Sequence, residues 1–349
     1  MQIIEILTPS YEVAWLPWAV QYFFLIGIAT TTALTASFVG FSGSQSARAL
    51  MPALIVVLVV SAVAAPVSLL ADLHQPARFW HFYAHPTPWS WMSLGAFLLP
   101  VFVGLSLLFC FLWWLGKTGL QKLVGVLLIL SSISILVYTG MEVMVIKSRP
   151  LWNTPFLPIN FALTGWLASL GATLLIARWI PGYGVRALPA TLIKRLLVAS
   201  VSLLILCAFV WVVAGMAGFE PSYDAAMFLF AQFPVWRIGL LGSVVTGLIV
   251  MLLLVRQNER VICGWQGTLL ALIILAAAWM FRWIIFMAVQ GVPKYGAGLY
   301  LYSMPLGSDG LTGMLGMLGL CIALIAIVTA LLAYFPAKST TGRSPFAHG

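Results

Sequence analysis

The residues with the clearest potential for chemistry are a tyrosine and a glutamate on one apolar segment, Tyr138 and Glu142. Their spacing of four residues places both side chains on one face of a helix. A phenol can hold a ligand oxygen through a hydrogen bond, and a neighbouring carboxylate can accept a proton. Because a carboxylate within an apolar helix is costly to bury without a partner, this pair predicts a functional site.

The segment 72–90, DLHQPARFWHFYAHPTPWS, is rich in His, Pro and aromatic residues. His74 titrates near neutral pH unless perturbed, which suits a proton relay. A membrane haem needs axial ligands that project from separate helices, whereas every His except His348 lies in this segment, so neither haem nor metal is predicted. Aromatic anchoring at the membrane interface and contact with an external partner are the two interpretations of the segment.

The cysteines lack CxxC spacing, which argues against an iron–sulfur or zinc site: Cys110, Cys207, Cys263 and Cys321.

The elements that must position these residues are apolar helices. Of the 349 residues, 62% are hydrophobic and 7% are charged, which is too few charges for a water-exposed surface of this size. The net charge of +9 comes from bases that flank the apolar segments, so nucleic-acid binding is not predicted and the expected surroundings are membrane lipid. No long polar segment remains for an attached soluble enzyme domain.

The hydropathy pattern predicts an all-α integral membrane protein of about nine transmembrane helices. The N-terminal segment lacks the basic region of a cleaved signal peptide, so the first helix is expected to be retained as an anchor. The predicted spans lie near 15–40, 51–71, 91–115, 121–146, 156–179, 193–215, 235–255, 264–290 and 310–335.

The basic residues predict the orientation of the chain, because cytoplasmic loops carry the excess of Lys and Arg. One side of the predicted topology holds Arg48, Lys117, Lys122, Arg178, Arg186, Lys194, Arg195, Arg256, Arg260, Lys338 and Arg343. The other side holds Arg78, Lys147, Arg149, Arg237 and Lys294. The predicted N-terminus is therefore outside and the C-terminus cytoplasmic.

With this topology, the polar residues of the spans lie at a common depth in the outer half of the membrane. Tyr138 and Glu142 fall within roughly 12 Å of the outer end of their helix. Gln21, Asp72 and Arg282 have comparable depths, which predicts one polar pocket that opens outward. Each residue also has a structural alternative. Gln21 can link two helices, and Arg282 can pair with a carboxylate or snorkel. Tyr138 can be an interfacial aromatic, and Asp72 can cap a helix or pair with Arg78 at the membrane surface.

Several stretches resemble the NrfD/PsrC-type membrane subunits of molybdopterin oxidoreductase complexes. The most specific is ADLHQPARFWHFYAHPTPWSWM at 71–92. The others are WLPWAVQYFFLIGIA at 15–29, YTGMEV at 138–143, KSRPLW at 147–152, WMFRWIIFMAVQGVPKY at 279–295 and YSMPLGSDG at 302–310.

The resemblance implies a fold and a function that the residues alone do not. It implies a four-helix bundle with a quinone pocket in 1–150, a second four-helix bundle in 151–292, and an outer loop, ninth helix and cytoplasmic tail in 293–349. Such a subunit sits in the bacterial inner membrane and oxidises menaquinol or ubiquinol. It passes electrons to an external ferredoxin-like iron–sulfur subunit and then to a molybdopterin subunit, here for reduction of tetrathionate or a related sulfur compound in anaerobic respiration.

The resemblance also assigns roles to particular residues. Tyr138 matches a tyrosine that hydrogen-bonds a quinone carbonyl, and Gln21 lies where the first helix supplies polar quinone ligands. Asp72 and Arg78 match the turn after the second helix.

From burial and position, Glu142, Asp72 and His74 are the candidates for proton transfer. The inner halves of the spans are nearly free of ionisable residues, which favours an electroneutral oxidation over a proton pump. A secondary transporter and a passive membrane anchor without quinone are the alternatives.

Overall fold

In the computed structural model, the described part of the chain comprises residues 15–73, 75–180, 188–256, 262, 264–291 and 302–338, and it contains helices but no strand. The helices before the middle of the chain are α1 Pro17–Phe41, α2 Gln45–Arg48, α3 Met51–Asp72, α4 His81–Ala84, α5 Trp91–Trp114 and α6 Thr118–Met144. The others are α7 Phe156–Ile176, α8 Ala190–Met216, α9 Pro221–Gln232, α10 Pro234–Arg256, α11 Trp265–Trp283 and α12 Leu311–Tyr334. A 3₁₀ turn, Pro76–Arg78, precedes α4, and a π-helix, Ile284–Ala288, extends α11.

Nine helical segments of the described residues are long and apolar enough to cross a membrane, which confirms the predicted fold class and number of spans. They run in alternating directions. The start of α1, the end of α3, the start of α5 and the end of α6 therefore meet at the same end of the molecule, here called the Asp72 end. Residues 292–301, in the connection between the eighth and ninth spans, lie outside the described residues.

Helix α1 is the central helix of the molecule. In its most apolar stretch 72% of the residues are buried, against 11% in α10 and in α12, which are therefore peripheral. It packs against α3, α6, α7, α11 and α12. The approach to α7 is close because a Cβ added at Gly165 would lie 2.9 Å from the Gly27 carbonyl oxygen. A hydrogen bond of 2.6 Å between Thr32 Oγ1 and Ser169 Oγ also joins these helices.

The ninth span, α12, packs against α3 and α1 and so lies beside the first group of helices. The segment after it is fastened to the end of α5, where the Trp114 indole N–H donates to the Phe335 carbonyl at 2.8 Å. The Lys338 amide donates to the Trp114 carbonyl at 2.9 Å. The division into two four-helix bundles, with boundaries near 150 and 292, stays a prediction, because α1 packs against helices of both proposed groups.

Candidate functional site

The candidate site is a cavity of about 480 Å³ at the Asp72 end, between α1, α3, α5 and α6. Its volume is within the range usual for small-molecule sites. The connection between α3 and α5, residues 73–90, is called the outer segment after its predicted position, and its residues 79–83 cover part of the cavity. The lining is mainly apolar, and its polar members come from α1, the end of α3, α6 and the outer segment: Tyr22, Asp72, Tyr83, Tyr138 and Glu142.

The polar wall of the cavity is formed by two phenols and a carboxylate. Tyr22 is 0% exposed and Tyr138 is 2% exposed, on α1 and α6 respectively. The Tyr138 hydroxyl interacts electrostatically with both Tyr22 and Glu142. The structure thus brings together Tyr138 and Glu142 as their spacing of four residues predicts, and adds Tyr22 from a neighbouring helix.

Two atoms of this wall have unused hydrogen-bonding capacity. The Tyr22 hydroxyl and the Glu142 Oε2 atom are buried, and apart from the interactions of these two residues with Tyr138 neither atom has a hydrogen-bond partner among the described residues. Leaving a buried polar group unpaired costs about 1–3 kcal/mol. Both atoms belong to residues that line the cavity. The arrangement therefore suits a ligand that brings its own oxygen or hydroxyl groups to the wall.

The position of Tyr138 depends on a glycine of the facing helix. An added Cβ at Gly95 of α5 would collide with the ring and hydroxyl of Tyr138. The absence of a side chain at Gly95 lets the phenol ring lie against the α5 backbone. Gly95 was not singled out by the sequence, because an isolated glycine in an apolar helix has many structural explanations.

Asp72 joins the ends of two helices at the rim of the cavity. Its Oδ1 atom accepts a hydrogen bond of 3.1 Å from the amide of Leu16, just before α1 begins. The side chain is half-buried and lines the cavity. Asp72 and Glu142 are near enough to interact electrostatically. Asp72 therefore links the start of α1 to the region of the buried carboxylate.

Gln21 faces a different neighbour and is not among the residues that line the cavity. Its Oε1 atom accepts a hydrogen bond of 3.2 Å from the Trp279 indole of α11, so it takes the helix-linking alternative. Tyr22, the next residue, lines the cavity in its place. The signal that could have found it is spacing, because Trp15, Ala19 and Tyr22 recur at intervals of one helical turn.

The outer segment holds two further residues that the sequence predicted for the site, Arg78 and His74. Arg78 is exposed at the end of the 3₁₀ turn and does not line the cavity. Its neighbour Phe79 does. His74 lies outside the described residues. Within the described ranges, no group of three or more His, Cys, Asp or Glu side chains could hold a metal ion.

Arg282 is buried beside the site and does not line it. It is 2% exposed and donates to Thr164 Oγ1 at 2.8 Å and to the Phe161 carbonyl at 2.8 Å. A longer bond of 3.4 Å reaches the carbonyl of Phe23, which lines the cavity. Its guanidinium also lies 4.2 Å from the centre of the Phe161 ring. Its partners among the described residues are neutral oxygens and an aromatic face, and not the carboxylate of the pairing alternative.

The cavity wall at Trp15 is held by the second half of the chain. The Gln290 side chain accepts from the Trp15 amide and donates to the Trp15 carbonyl, both at 3.0 Å. The indole ring stacks on Trp152 and Phe23, with ring centres 5.5 and 5.6 Å apart. This residue thus has little freedom to move.

An all-helical, multi-pass membrane protein with an amphipathic cavity at one end is the class that the fold and the site define. The chain matches the family model described as "Polysulphide reductase, NrfD" over residues 6–294. It belongs to the NrfD family, and the resemblance derived from its sequence stretches is confirmed.

A curated relative can be aligned with most of this chain. The chain is 35% identical over 318 residues to one of the subunits of the tetrathionate reductase of Salmonella typhimurium strain LT2. The alignment spans 88% of this chain and 89% of that relative.

Proposed function

We propose that this chain is the quinol-oxidising membrane subunit of a complex that reduces tetrathionate or a related sulfur compound. The observation that carries the proposal is the polar wall of the cavity, where two buried phenols and a carboxylate face a mainly apolar space. The identity to a tetrathionate reductase subunit supports the choice of acceptor. The acceptor chemistry itself belongs to another subunit.

The residues of the cavity fit a quinol. A quinol ring is flat and apolar and has a hydroxyl group at either side, so it needs apolar faces and hydrogen-bond partners at its edges. Leu69, Leu99 and Val103 supply apolar faces. The unpaired Tyr22 hydroxyl and Glu142 Oε2 supply partners at the edge.

Each side chain of the cavity wall has a role in the proposed reaction that follows from its chemistry. A bound quinol gives up two electrons, which pass to the iron–sulfur subunit, and two protons. Tyr138 and Tyr22 orient one edge of the ring, and Glu142 accepts the protons one after the other at Oε2. Asp72 is near enough to interact electrostatically with Glu142 and receives the proton next. His74 is proposed as a further relay toward water, and Arg78 as a binding residue at the rim.

The position of the site also suggests the orientation of the chain in the membrane and its partner subunits. We place the Asp72 end at the outer face of a bacterial inner membrane, with a periplasmic N-terminus and a cytoplasmic C-terminus. A ferredoxin-like iron–sulfur subunit docks there on the outer loops and passes electrons to a molybdopterin subunit. Because protons and electrons then leave on the same side, the oxidation is electroneutral.

The test compares quinol-driven and dye-driven reduction of tetrathionate by the assembled complex. We expect Glu142→Gln to lower quinol-driven turnover about a hundredfold, since a positioned proton acceptor contributes about that factor. Tyr138→Phe should lower it about tenfold, the equivalent of one neutral hydrogen bond. Reduction driven by an artificial dye, which bypasses the membrane subunit, should stay at the wild-type level.

The matched control is Tyr334→Phe, because Tyr334 is 82% exposed at the far end of α12. It should leave both activities unchanged. Unaltered quinol turnover in Glu142→Gln and Tyr138→Phe, with normal assembly, would contradict the proposed site and favour a passive anchor. Normal dye-driven activity without any quinol oxidation by the wild type would overturn the function itself.

A further inference from the structure

The cavity has a closed side and an open side. On the closed side Ala19, Tyr22 and Tyr138 are each at most 2% exposed. Six of the lining residues are themselves exposed, and two of them, Phe79 and Tyr83, belong to the outer segment. The other four lie along the seam between α3 and α5, at the surface of the helix bundle: Leu70, Met92, Pro100 and Gly104. The cavity therefore opens sideways through this seam.

The seam is apolar along its whole length and reaches far into the membrane. Its four residues carry no hydrogen-bonding or charged side chain. Gly104 lies about 20 Å along α5 from Trp91, and the hydrocarbon layer is about 30 Å thick. A Cβ added at Gly104 would meet nothing within 4 Å, so there is open space beside it. The polar groups, in contrast, stay at the Asp72 end of the cavity.

A proline and a tyrosine shape the end of the seam nearest to the polar wall. Pro100 has no amide hydrogen, so it cannot bond to the carbonyl of Ala96 one turn earlier in α5. The Tyr83 hydroxyl donates to that carbonyl at 3.0 Å instead. Tyr83 also lines the cavity, so the outer segment is fastened over the top of the seam while the part below stays open.

We infer that the α3–α5 seam is the binding site for the isoprenoid tail of the quinol, and the route by which the quinol enters from the lipid. This inference rests on the proposed quinol oxidation. A route through lipid-facing apolar residues accommodates a long hydrocarbon chain and disfavours water and ions. In this arrangement the ring lies at Tyr138, and the tail points toward Gly104 and out into the bilayer.

The test is to fill the seam and compare two quinols that share one ring, with and without a polyprenyl tail. In Gly104→Trp the indole occupies the open space beside α5. We expect the KM for the tailed quinol to rise at least about tenfold, since apolar pocket contacts change discrimination by such factors. The KM for the tail-free quinol should stay close to the wild-type value.

Gly242→Trp is the matched control, because Gly242 is also an exposed glycine within a span, on α10, and has nothing within 4 Å of an added Cβ. It should change neither KM. An equal KM for the tailed quinol in the Gly104 variant and the wild type would overturn the seam assignment. Equal impairment with both quinols would also overturn it, since the ring site would then be what the indole disturbs.

Labelling of the wild-type complex keeps the inference testable if the bulky variant does not assemble. A quinone with a photoreactive group on the first part of its tail should label peptides that contain Leu70 or Gly104. Labels confined to α8, α10 or α12 would rule out the seam. If the wild type oxidises neither quinol while dye-driven reduction is intact, the proposed function fails, and the tail site fails with it.

Discussion

The three polar residues of the cavity wall are unfavourable side chains for helices that cross a membrane. Tyr22, Tyr138 and Glu142 would each be cheaper as apolar side chains in a lipid environment, because unpaired polar groups there cost free energy. Two of them keep unpaired atoms even after folding. A wall of this kind is a prepared binding surface, since ligand atoms can supply the missing hydrogen bonds.

The glycine behind Tyr138 gives a test at the residue scale. Gly95→Ala places a methyl group where the phenol now lies, so the ring must move. Because small displacements of a positioned group can cost up to about a hundredfold in rate, we expect quinol-driven turnover to fall about ten- to a hundredfold. Dye-driven reduction of tetrathionate in the same membranes measures whether the complex is intact.

Gly242→Ala is the control for this substitution, because its methyl group would meet no atom within 4 Å. It should behave like the wild type. If Gly95→Ala also keeps full quinol turnover, the exact place of the Tyr138 ring does not matter for the reaction.

At the scale of the elements, the cavity is built by helix ends that are tied to one another. Asp72 at the end of α3 holds the backbone just before α1, and Gln290 beyond the π-helix holds Trp15 by two hydrogen bonds. Arg149 adds a bond of 2.7 Å to the carbonyl of Val289. The second half of the chain thus fixes one wall of a cavity whose polar residues come from the first half.

The link between Tyr83 and α5 gives a test at this scale. Tyr83→Phe removes the donor to the Ala96 carbonyl and should destabilise the outer segment by about 1 kcal/mol. In a Pro100→Ala background, the backbone amide of residue 100 can bond to that carbonyl, so Tyr83→Phe should have a smaller effect. Limited proteolysis of the segment 76–90 in all four combinations measures the coupling.

Equal effects of Tyr83→Phe in the two backgrounds would show that the tyrosine does not compensate for the proline. Tyr334→Phe, at an exposed position away from the segment, is the control for the loss of a phenol hydroxyl.

The whole molecule has two ends with different chemistry, and this difference predicts its orientation. The cavity and its polar wall lie at the Asp72 end, and the larger set of basic residues belongs to the opposite side. Because that excess marks the cytoplasmic side, the Asp72 end should face the periplasm.

Thiol labelling tests the orientation with two conservative substitutions at exposed positions. Thr87→Cys lies at the Asp72 end, and Ser46→Cys lies at the opposite end, in α2. In intact spheroplasts an impermeant maleimide should label the first variant only. Both should react after the membrane is permeabilised. Labelling of Ser46→Cys alone in intact spheroplasts would reverse the proposed orientation.

The membrane-spanning helices could be predicted from the sequence. Each span is an apolar run whose backbone satisfies its own hydrogen bonds, so its existence depends on local sequence alone. The pairing of Tyr138 with Glu142 was equally predictable, because four residues make about one turn of a single helix.

The rotation of each helix against its neighbours was decided by the tertiary structure alone. Gln21 and Tyr22 are adjacent in α1, and about 100° of rotation separates them, so packing determined which one lines the cavity. In α1 the apolar residues surround the whole helix, and hydrophobicity gives no inward face to predict from. The neutral partners of Arg282 and the seam at Gly104 likewise come from other helices. The sequence by itself determined the spans and the family, because these depend on local composition and motifs. Only the tertiary structure decided which side chains meet, because that depends on contacts between helices distant in the chain.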